Sequence, residues 1–398
     1  MANNNENKIL NVPHLRFPEF SGEWKKCKLG DLCNVLMCKR ILVSQTNTED
    51  GVPFYKIGTI GSTPDAYISK ELFDDYKVKY NYPRKGEVMI TCAGTVGKCV
   101  VYDGEDAYFQ DSNIVWIDNP TQYISNGFLF HLLSKVDWRK LNSTTIIRIY
   151  NDDLRNLKMS YPRKEEQQKI SHLLSLLDER IATQNKIIYK LKSLIRGIMV
   201  ELQKRGLSNG TLKKVLLSNV LTERNELNKS LYPVYSVSVI QGIVNQMEYL
   251  GRSFAASDTS KYHVVHYGDL VYTKSPTGSF PYGIIKQSYN QNEVAVSPLY
   301  GVYEPKTFST GVFLHEYFKS ELNTLNYLHP LVQKGAKNTI NIANQRFLES
   351  YVAIPSNANE LLAISKLLCS LNTKLEFLQN ILKQSQGQKQ YLLRQMFI

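Results

Sequence analysis

The spacing of apolar residues predicts two long amphipathic helices, one in the middle of the chain and one at its end. From near Glu165 to near Gln203, and again from Asn359 to Phe397, apolar residues recur at alternating intervals of four and three. This is the heptad pattern of a coiled-coil seam. Neither stretch contains proline before its end. At about 1.5 Å per residue each helix would span roughly 58 Å, which is too long for a core element of a compact domain.

The two seams match in length and phase, so we expect the helices to pair as an antiparallel coiled coil. The alternative is that each is an ordinary amphipathic helix facing the core of its own domain. Gln184 is a lone polar residue in the first seam, and such a residue usually fixes the register at a cost in stability. The predicted seam residues are Ile170, Leu174, Leu177, Ile181, Gln184 and Ile188 in the first helix and Ile364, Leu368, Leu371, Leu375, Leu378 and Leu382 in the second.

The segments that precede the two helices repeat each other. Residues 86–91 (GEVMIT) return as 268–273 (GDLVYT), and 53–58 (PFYKIG) return as 233–238 (PVYSVS). In each copy the apolar segment is followed by a loop and a second short apolar run, which predicts a strand, loop, strand hairpin. Each half has the size of a domain, so the sequence predicts a tandem of two related domains.

The predicted fold class is α/β, with two tandem domains of mixed, strand-rich structure and two long helices that form an antiparallel coiled coil, in a pseudo-twofold arrangement. Because both domains share a scaffold, the pieces that differ between them should carry specificity. The predicted boundaries are 1–27 for a lead-in segment, 28–162 for the first domain, 163–206 for the central helix, 207–355 for the second domain and 356–398 for the C-terminal helix.

Composition adds a class of partner to this picture. The 398 residues are 43% hydrophobic, and no apolar run approaches the roughly 18 residues of a membrane span, so we expect a cytoplasmic protein. The six cysteines show neither C-x-x-C spacing nor a nearby histidine, which favours reduced thiols and no metal site. The net charge of +12 points to a polyanion. The two helical stretches, 163–205 and 359–398, hold 15 Lys and Arg against 7 acids, which is +8 of this charge.

Basic, aromatic and small polar residues cluster in a few segments of the two domains. Residues 77–85 and 334–339 have this mixture, and the loops 92–98 and 274–280 occupy the same place in the repeat with unrelated sequences. Cations suit phosphates, while Asn, Thr and Tyr can reach base edges, so the loops predict two DNA readers on one scaffold. A charge cluster is more often only a solvated face. The candidate DNA-binding residues are Lys56, Tyr82, Arg84, Lys85, Thr91, Thr95, Lys98, Arg148, Tyr150 and Asn151 in the first domain and Lys274, Ser275, Thr277, Ser279, Lys334, Lys337, Asn338 and Asn341 in the second.

Three catalytic signatures are incomplete. Residues 94–98 have the tail of a P-loop, but Cys99 replaces the Mg²⁺-binding Ser or Thr and a predicted strand follows where a helix is needed. Residues 118–121 resemble a methyltransferase tetrad without its second proline and aromatic residue, and no Gly-rich cofactor loop precedes them. Residues 304–306 (EPK) match the Glu-x-Lys part of a nuclease motif, but no convincing Pro-Asp pair precedes them. The sequence therefore predicts no active site.

Taken in order, the motifs make the chain resemble the DNA specificity subunit of a type I restriction-modification system over essentially its full length. The matching segments are the opening 12–18 with 24–32, the strand and loop 86–98, the helix entry 162–168 (PRKEEQQ) and the closing 392–397. The second copy departs from the family pattern in its helix entry, 355–360, and in its loop. The sequence therefore defines the DNA-contacting residues of the second domain less well than those of the first.

The resemblance implies a non-catalytic subunit that binds double-stranded DNA. Each variable domain would be a target recognition domain that reads one half of a bipartite, asymmetric site, and the helices would set the gap and dock the partners. The family's modification subunits, usually two, supply S-adenosylmethionine and adenine N6 chemistry, and its restriction subunits supply ATP- and Mg-dependent translocation and cleavage. No cofactor is implied in this chain. The alternative is a coiled-coil DNA-binding regulator or scaffold that acts without methyltransferase partners.

Overall fold

The computed structural model describes residues 10–141, 148–252, 255–334 and 340–398. The chain divides into two compact units, each with its own core. The first unit contains the residues up to Asn185 together with Ile381–Ile398, and the second contains Lys186–Asn380. Each unit therefore includes part of both long helices. No helix in the described residues has a stretch that is long and apolar enough to cross a membrane.

The first unit is strand-rich and leads into the first long helix, which continues into the second unit. Its elements, in chain order, are β1 (Lys25–Lys28), β2 (Asn34–Leu36), β3 (Val52–Tyr55), β4 (Tyr67–Ile68), α1 (Lys70–Lys79), β5 (Val88–Thr91), β6 (Cys99–Val101), β7 (Tyr108–Phe109), β8 (Ile114–Asp118), α2 (Asn126–Lys135), α3 (Trp138–Leu141), α4 (Asn151–Arg155), β9 (Lys158–Tyr161) and α5 (Lys164–Gly206).

The second unit has a similar order with additional strands and leads into the second long helix. Its elements are β10 (Leu212–Leu216), β11 (Leu221–Glu223), β12 (Tyr235–Ser238), β13 (Gly242–Asn245), α6 (Gln246–Leu250), β14 (His263–Val265), β15 (Leu270–Tyr272), β16 (Ile285–Gln287), β17 (Val294–Val296), β18 (Gly301–Pro305), α7 (Phe308–Tyr317), α8 (Glu321–Leu328), β19 (Gln333–Lys334), β20 (Ile340–Asn341), α9 (Asn344–Leu348), β21 (Tyr351–Pro355) and α10 (Ala358–Gln395).

The same four-stranded antiparallel sheet lies in both units. Its order is β2-β8-β5-β6 in the first unit and β11-β18-β15-β16 in the second. The register agrees as well, because Val88 pairs with Ile117 and the equivalent Leu270 pairs with Tyr303. In each unit the predicted hairpin is present, formed by β5 with β6 and by β15 with β16. The mixed, strand-rich fold class and the tandem repeat are therefore confirmed.

The two long helices run antiparallel. In the first unit, Ile170 and Leu174 near the start of α5 share a core with Leu393 and Met396 near the end of α10. In the second unit, residues near the end of α5, such as Ile195, pack with residues near the start of α10. The start of one helix thus meets the end of the other in both units, as the heptads predicted. The 43 residues of α5 correspond to about 64 Å.

Several seam residues also belong to the cores of the units, so the two interpretations offered for the seams both apply. Leu174 shares its core with Val115 of β8, and Leu368 shares its core with Phe313 of α7. Gln184 is buried, and its Oε1 has no hydrogen-bond partner among the described residues. The seam residues Ile170, Leu174, Leu177, Ile188 and Leu368 are buried, and Ile181, Ile364, Leu371, Leu375, Leu378 and Leu382 are half-buried.

The entry into α5 is fixed to the N-terminal segment by a buried carboxylate. Glu166 is fully buried and accepts hydrogen bonds from Nε and Nη2 of Arg16, both at 2.8 Å, and from Nε1 of Trp24 at 3.3 Å. The next residue, Gln167, is also fully buried and bonds to the backbone of Ser125 and Tyr123. The Glu-Gln pair of the entry motif therefore locks the helix onto the domain that precedes it.

Candidate nucleic-acid interface

The loop 92–98 of the first unit connects two antiparallel strands and is held by hydrogen bonds from its own ends. The Thr91 hydroxyl donates to the carbonyl of Thr95 and accepts from the amide of Lys98 at 3.0 Å. Gly94 and Gly97 have φ angles of +65° and +82°, values that favour glycine because it has no Cβ. Strand β6 begins at Cys99. A strand therefore follows this loop, as predicted, and the P-loop interpretation stays excluded.

A turn between β3 and β4 supports the loop from one side. The Thr95 hydroxyl donates to the carbonyl of Ile57 at 3.2 Å, and the Lys98 ammonium donates to the carbonyl of Ile60. Lys56, which the sequence analysis placed among the DNA contacts, lies beside this turn and pairs with Asp65 at 3.0 Å. Both lysines thus have oxygen partners within the unit, and Thr95 is in an exposed part of the loop.

Two further segments meet the same loop. The Cys92 amide donates to the carbonyl of Asn113 at 2.7 Å, and the Ile149 amide donates to the carbonyl of Cys92 at 2.9 Å. The neighbours of Ile149 are the predicted contacts Arg148, whose guanidinium carbon lies 5.8 Å from the ring centre of Tyr150, and Tyr150 itself, which is 61% exposed. Asn151 begins α4 directly after them. The structure therefore joins the segment that bears Arg148 and Tyr150 to the first residue of the loop that bears Thr95 and Lys98.

Other predicted contacts of the first unit lie elsewhere. Tyr82, Arg84 and Lys85 precede β5, so they lie at the end of that strand opposite to the loop. The Tyr82 hydroxyl donates to the carbonyl of Ala107 at 2.7 Å and is half-buried. This hydroxyl belongs to the internal network of the unit, and the role of Tyr82 as a DNA contact stays a prediction. The prediction of Thr91 as a DNA contact is corrected, because its side chain is fully buried.

The loop 274–280 of the second unit has the equivalent position but different support. Lys274 has a φ of +56°, and burial lowers the pKa of its ammonium while the carboxylate of Glu223 acts in the opposite direction. The Thr277 amide donates to the carbonyl of Phe280 at 3.0 Å, and the Ser279 hydroxyl donates to Glu321. Ser275 is exposed. This loop is therefore held by its own backbone and by α8.

Two of the remaining candidates of the second unit, Lys334 and Asn341, lie in the ladder of β19 and β20. The backbone of Lys334 pairs with that of Ile340, and Asn341 pairs with Gln333. Lys337 and Asn338 lie outside the described residues. The structure therefore places the backbone of two of these four candidates in a short two-stranded ladder.

Sequence reasoning missed a charge cluster that recurs at the other end of both sheets. Arg84 pairs with Glu87 and Asp118 in the first unit. In the second unit Arg224 pairs with Asp269 at 2.8 Å and with Glu304 at 3.2 Å. The carboxylates occupy equivalent repeat positions, but the arginine comes from the loop before β5 in one unit and follows β11 in the other. The signal was the acidic residue after the repeated glycine, at Glu87 and Asp269.

Polar side chains from two of the incomplete catalytic signatures have partners within their own units. Glu304, the acid of the nuclease-like triplet, is a partner of Arg224. Asn119, from the tetrad-like segment, is buried and donates to the carbonyl of Ile124 at 2.6 Å and to Oδ1 of Asn126 at 2.9 Å. Burial raises the pKa of Asp269, and the hydrogen bonds from Arg224 oppose that effect. These groups therefore stabilise the ends of the sheets.

The cysteines are free thiols that are buried or half-buried. Burial raises the pKa of Cys33, Cys38, Cys92 and Cys99 to about 12, so these thiols stay protonated near neutral pH. Among the described residues, no group of three or more His, Cys, Asp or Glu is placed to hold a metal ion.

Comparison with known proteins gives these sites a context. Residues 21–193 match the family model of the type I restriction modification DNA specificity domain. A putative type I restriction enzyme specificity subunit of Haemophilus influenzae is 47% identical over 172 residues, which are 43% of this chain and 42% of that protein. A putative type I restriction enzyme MjaX specificity subunit of Methanocaldococcus jannaschii is 24% identical over 202 residues, 47% of each chain. The chain therefore covers less than half of the length of both relatives.

A solved structure extends the likeness to the whole chain. The S subunit of a type I restriction-modification system from M. genitalium is 15% identical, with a TM-score of 0.63, and the match covers 97% of this chain and 99% of that one. At 15% identity this match shows a shared fold and nothing more. The resemblance found in the sequence is confirmed: residues 21–193 match the model of the type I restriction modification DNA specificity domain, and the chain shares the overall fold of the M. genitalium S subunit.

Proposed function

We propose that this chain is the DNA-recognition subunit of a type I restriction-modification complex. Each unit reads one half of a bipartite, asymmetric site in double-stranded DNA, and the paired helices set the spacer between the halves. The observation that carries this proposal is the pair of loops 92–98 and 274–280, which follow equivalent strands of one repeated sheet and have unrelated sequences. Equal scaffolds with different loops suit two readers of different DNA sequences.

The exposed face of the first loop has suitable chemistry for DNA. The Thr95 hydroxyl, which donates to the carbonyl of Ile57, can accept a hydrogen bond from a base edge, while Arg148 and Tyr150 offer a cation and an aromatic ring on the segment joined to the same loop. The two long helices carry an excess of positive charge, which can neutralise phosphates of an unread spacer without reading its bases. Such a chain would act in the cytoplasm.

The partners in this proposal are modification subunits, two per chain, and restriction subunits. S-adenosylmethionine, ATP and Mg would be bound by those partners, so this chain would modify and cut nothing by itself. The helices offer a docking surface: in the second unit a groove of about 820 Å³ on α5 is lined by Tyr189, Leu194, Gly197 and Ile198. Exposed apolar surface of this kind is typical of protein interfaces. The specificity-domain match disfavours the alternative of a regulator without methyltransferase partners.

Selection of bound duplexes from a random pool, with and without the modification subunit of the same genome, tests this proposal. We expect the assembled complex to enrich two short conserved blocks separated by unread positions of fixed number. Methyl transfer from labelled S-adenosylmethionine should require both chains. A continuous palindromic motif bound by the chain alone would instead indicate a regulator.

A further inference from the structure

Two glycines of the loop 92–98 lie in close contact with side chains from outside the loop. A Cβ on Gly97 would lie 2.2 Å from Cδ1 of Trp138 and 2.8 Å from its Nε1. On the other side, a Cβ on Gly94 would lie 2.8 Å from Cδ1 of Ile57. Atoms cannot approach so closely, so the indole of Trp138 packs directly on the backbone of the loop at a place where only glycine fits.

Trp138 acts on the loop through its apolar ring and not through its N–H group. The residue is 4% exposed, and its Nε1 has no hydrogen-bond partner among the described residues. A buried N–H without an acceptor costs stability, so the indole is not explained by its polar group. Its ring belongs to the apolar core that also contains Ile149 and Cys92. These are the residues whose backbone groups join the loop to the segment that bears Arg148 and Tyr150.

We propose that Trp138 is a positioning residue for DNA recognition by the first unit. Its ring fixes the backbone of Gly97 and so sets the direction in which Thr95 faces the DNA. The inference rests on the proposed function, because it takes the loop 92–98 as a reader. Base-edge hydrogen bonds need correct distances and angles, so a displaced loop would lose discrimination before it lost its contacts with phosphate.

The second loop provides a matched control. Gly278 has a φ of +56°, also in the left-handed region, but a Cβ there would meet no atom within 4 Å. Gly278→Ala therefore adds backbone strain alone, whereas Gly97→Ala adds backbone strain and a clash with Trp138. Any excess effect of Gly97→Ala on its own half-site reports the contact with the indole.

The test uses the full chain assembled with its modification subunit and three duplexes: the selected site, a duplex altered in the first half and one altered in the second. We expect Gly97→Ala to reduce discrimination at the first half roughly ten-fold and to leave that at the second half unchanged. Gly278→Ala should have a smaller effect, confined to the second half. Adding Trp138→Leu to Gly97→Ala should restore part of the loss, because it removes the clashing ring.

Further variants separate positioning from folding. Trp138→Phe should keep discrimination, since a ring is retained and the unpaired N–H is removed, while Trp138→Ala should relax it at the first half only. Intact discrimination at the second half shows that the complex is assembled. Equal effects of Gly97→Ala and Gly278→Ala, or no rescue by Trp138→Leu, would overturn the inference and leave the proposed function standing. A wild-type complex that discriminates at neither half would overturn both.

Discussion

Replacing Arg16 with alanine should destabilise the first unit by about 3 kcal/mol, because it breaks a buried ion pair. The change removes two of the three hydrogen bonds that Glu166 accepts and leaves a fully buried carboxylate with only the indole N–H of Trp24, at 3.3 Å. Breaking a buried pair by removing one partner costs about 3–5 kcal/mol. We expect the lower end of that range, since the Arg16 side chain is 16% exposed and water can reach its place.

Lys169→Ala is the matched control for this experiment. Lys169 lies on the same helical entry and pairs with Glu19, but the two side chains are 48% and 45% exposed. An exposed pair contributes little to stability, because water and salt screen the two charges. Adding Glu166→Leu to Arg16→Ala should recover most of the lost stability, because a buried pair replaced by apolar groups is often neutral.

Urea unfolding followed by tryptophan fluorescence measures this effect in the right part of the chain. All three tryptophans, Trp24, Trp116 and Trp138, lie in the first unit, so their emission reports its unfolding even when the two units unfold separately. The free energy of unfolding is obtained by linear extrapolation. Equal losses for Arg16→Ala and Lys169→Ala would refute the assignment of Glu166 as a buried anchor.

Three other outcomes are expected. The purified chain, free of partners, should neither methylate nor cut DNA, and turnover in either assay would show that it contains an active site. Thr95→Ala should relax only the first half-site and Thr277→Ala only the second, by about 1–3 kcal/mol per lost base-edge pair in binding titrations; a change at both halves from either variant would exclude two separate readers. One heptad inserted near Gln184 and another near Leu378 lengthens the helix pair by roughly 10 Å, or about three base pairs, and rotates one half-site by roughly 100°. Methylation maps should then show unchanged half-sites and a longer spacer, and a methylating variant that keeps the original spacer would rule out the helices as a ruler.

The helices, the repeat and the hairpins could be predicted because their signals are local. Heptad spacing identified α5 and α10, and matching seams indicated their antiparallel pairing. Local patterns could not predict contacts between residues that are far apart in the sequence. Glu166 lies 150 residues from Arg16. Glu166 is part of the entry motif quoted for the resemblance, but that motif does not show which residue Glu166 contacts.

The candidate site was predicted less completely, because composition does not show which way a side chain points. Thr91 ends a strand whose four residues are all buried, so strict alternation of inward and outward positions fails there. Tyr82 lies in a basic and aromatic segment of the kind that can contact DNA, but its hydroxyl donates to a backbone carbonyl inside the unit. Trp138 precedes no recognisable motif, and its role depends on the missing side chain of Gly97, which lies 41 positions earlier in the sequence.

The most direct test of the two-reader account is a methylation map of cells that express this chain with its modification subunit, repeated after residues 207–355 are replaced by the corresponding domain of another specificity subunit. The account predicts a bipartite motif in the first map. In the second map one half and the spacer should be unchanged, and the other half should be new. A map in which both halves change, or in which the methylated motif is one uninterrupted block, would contradict it.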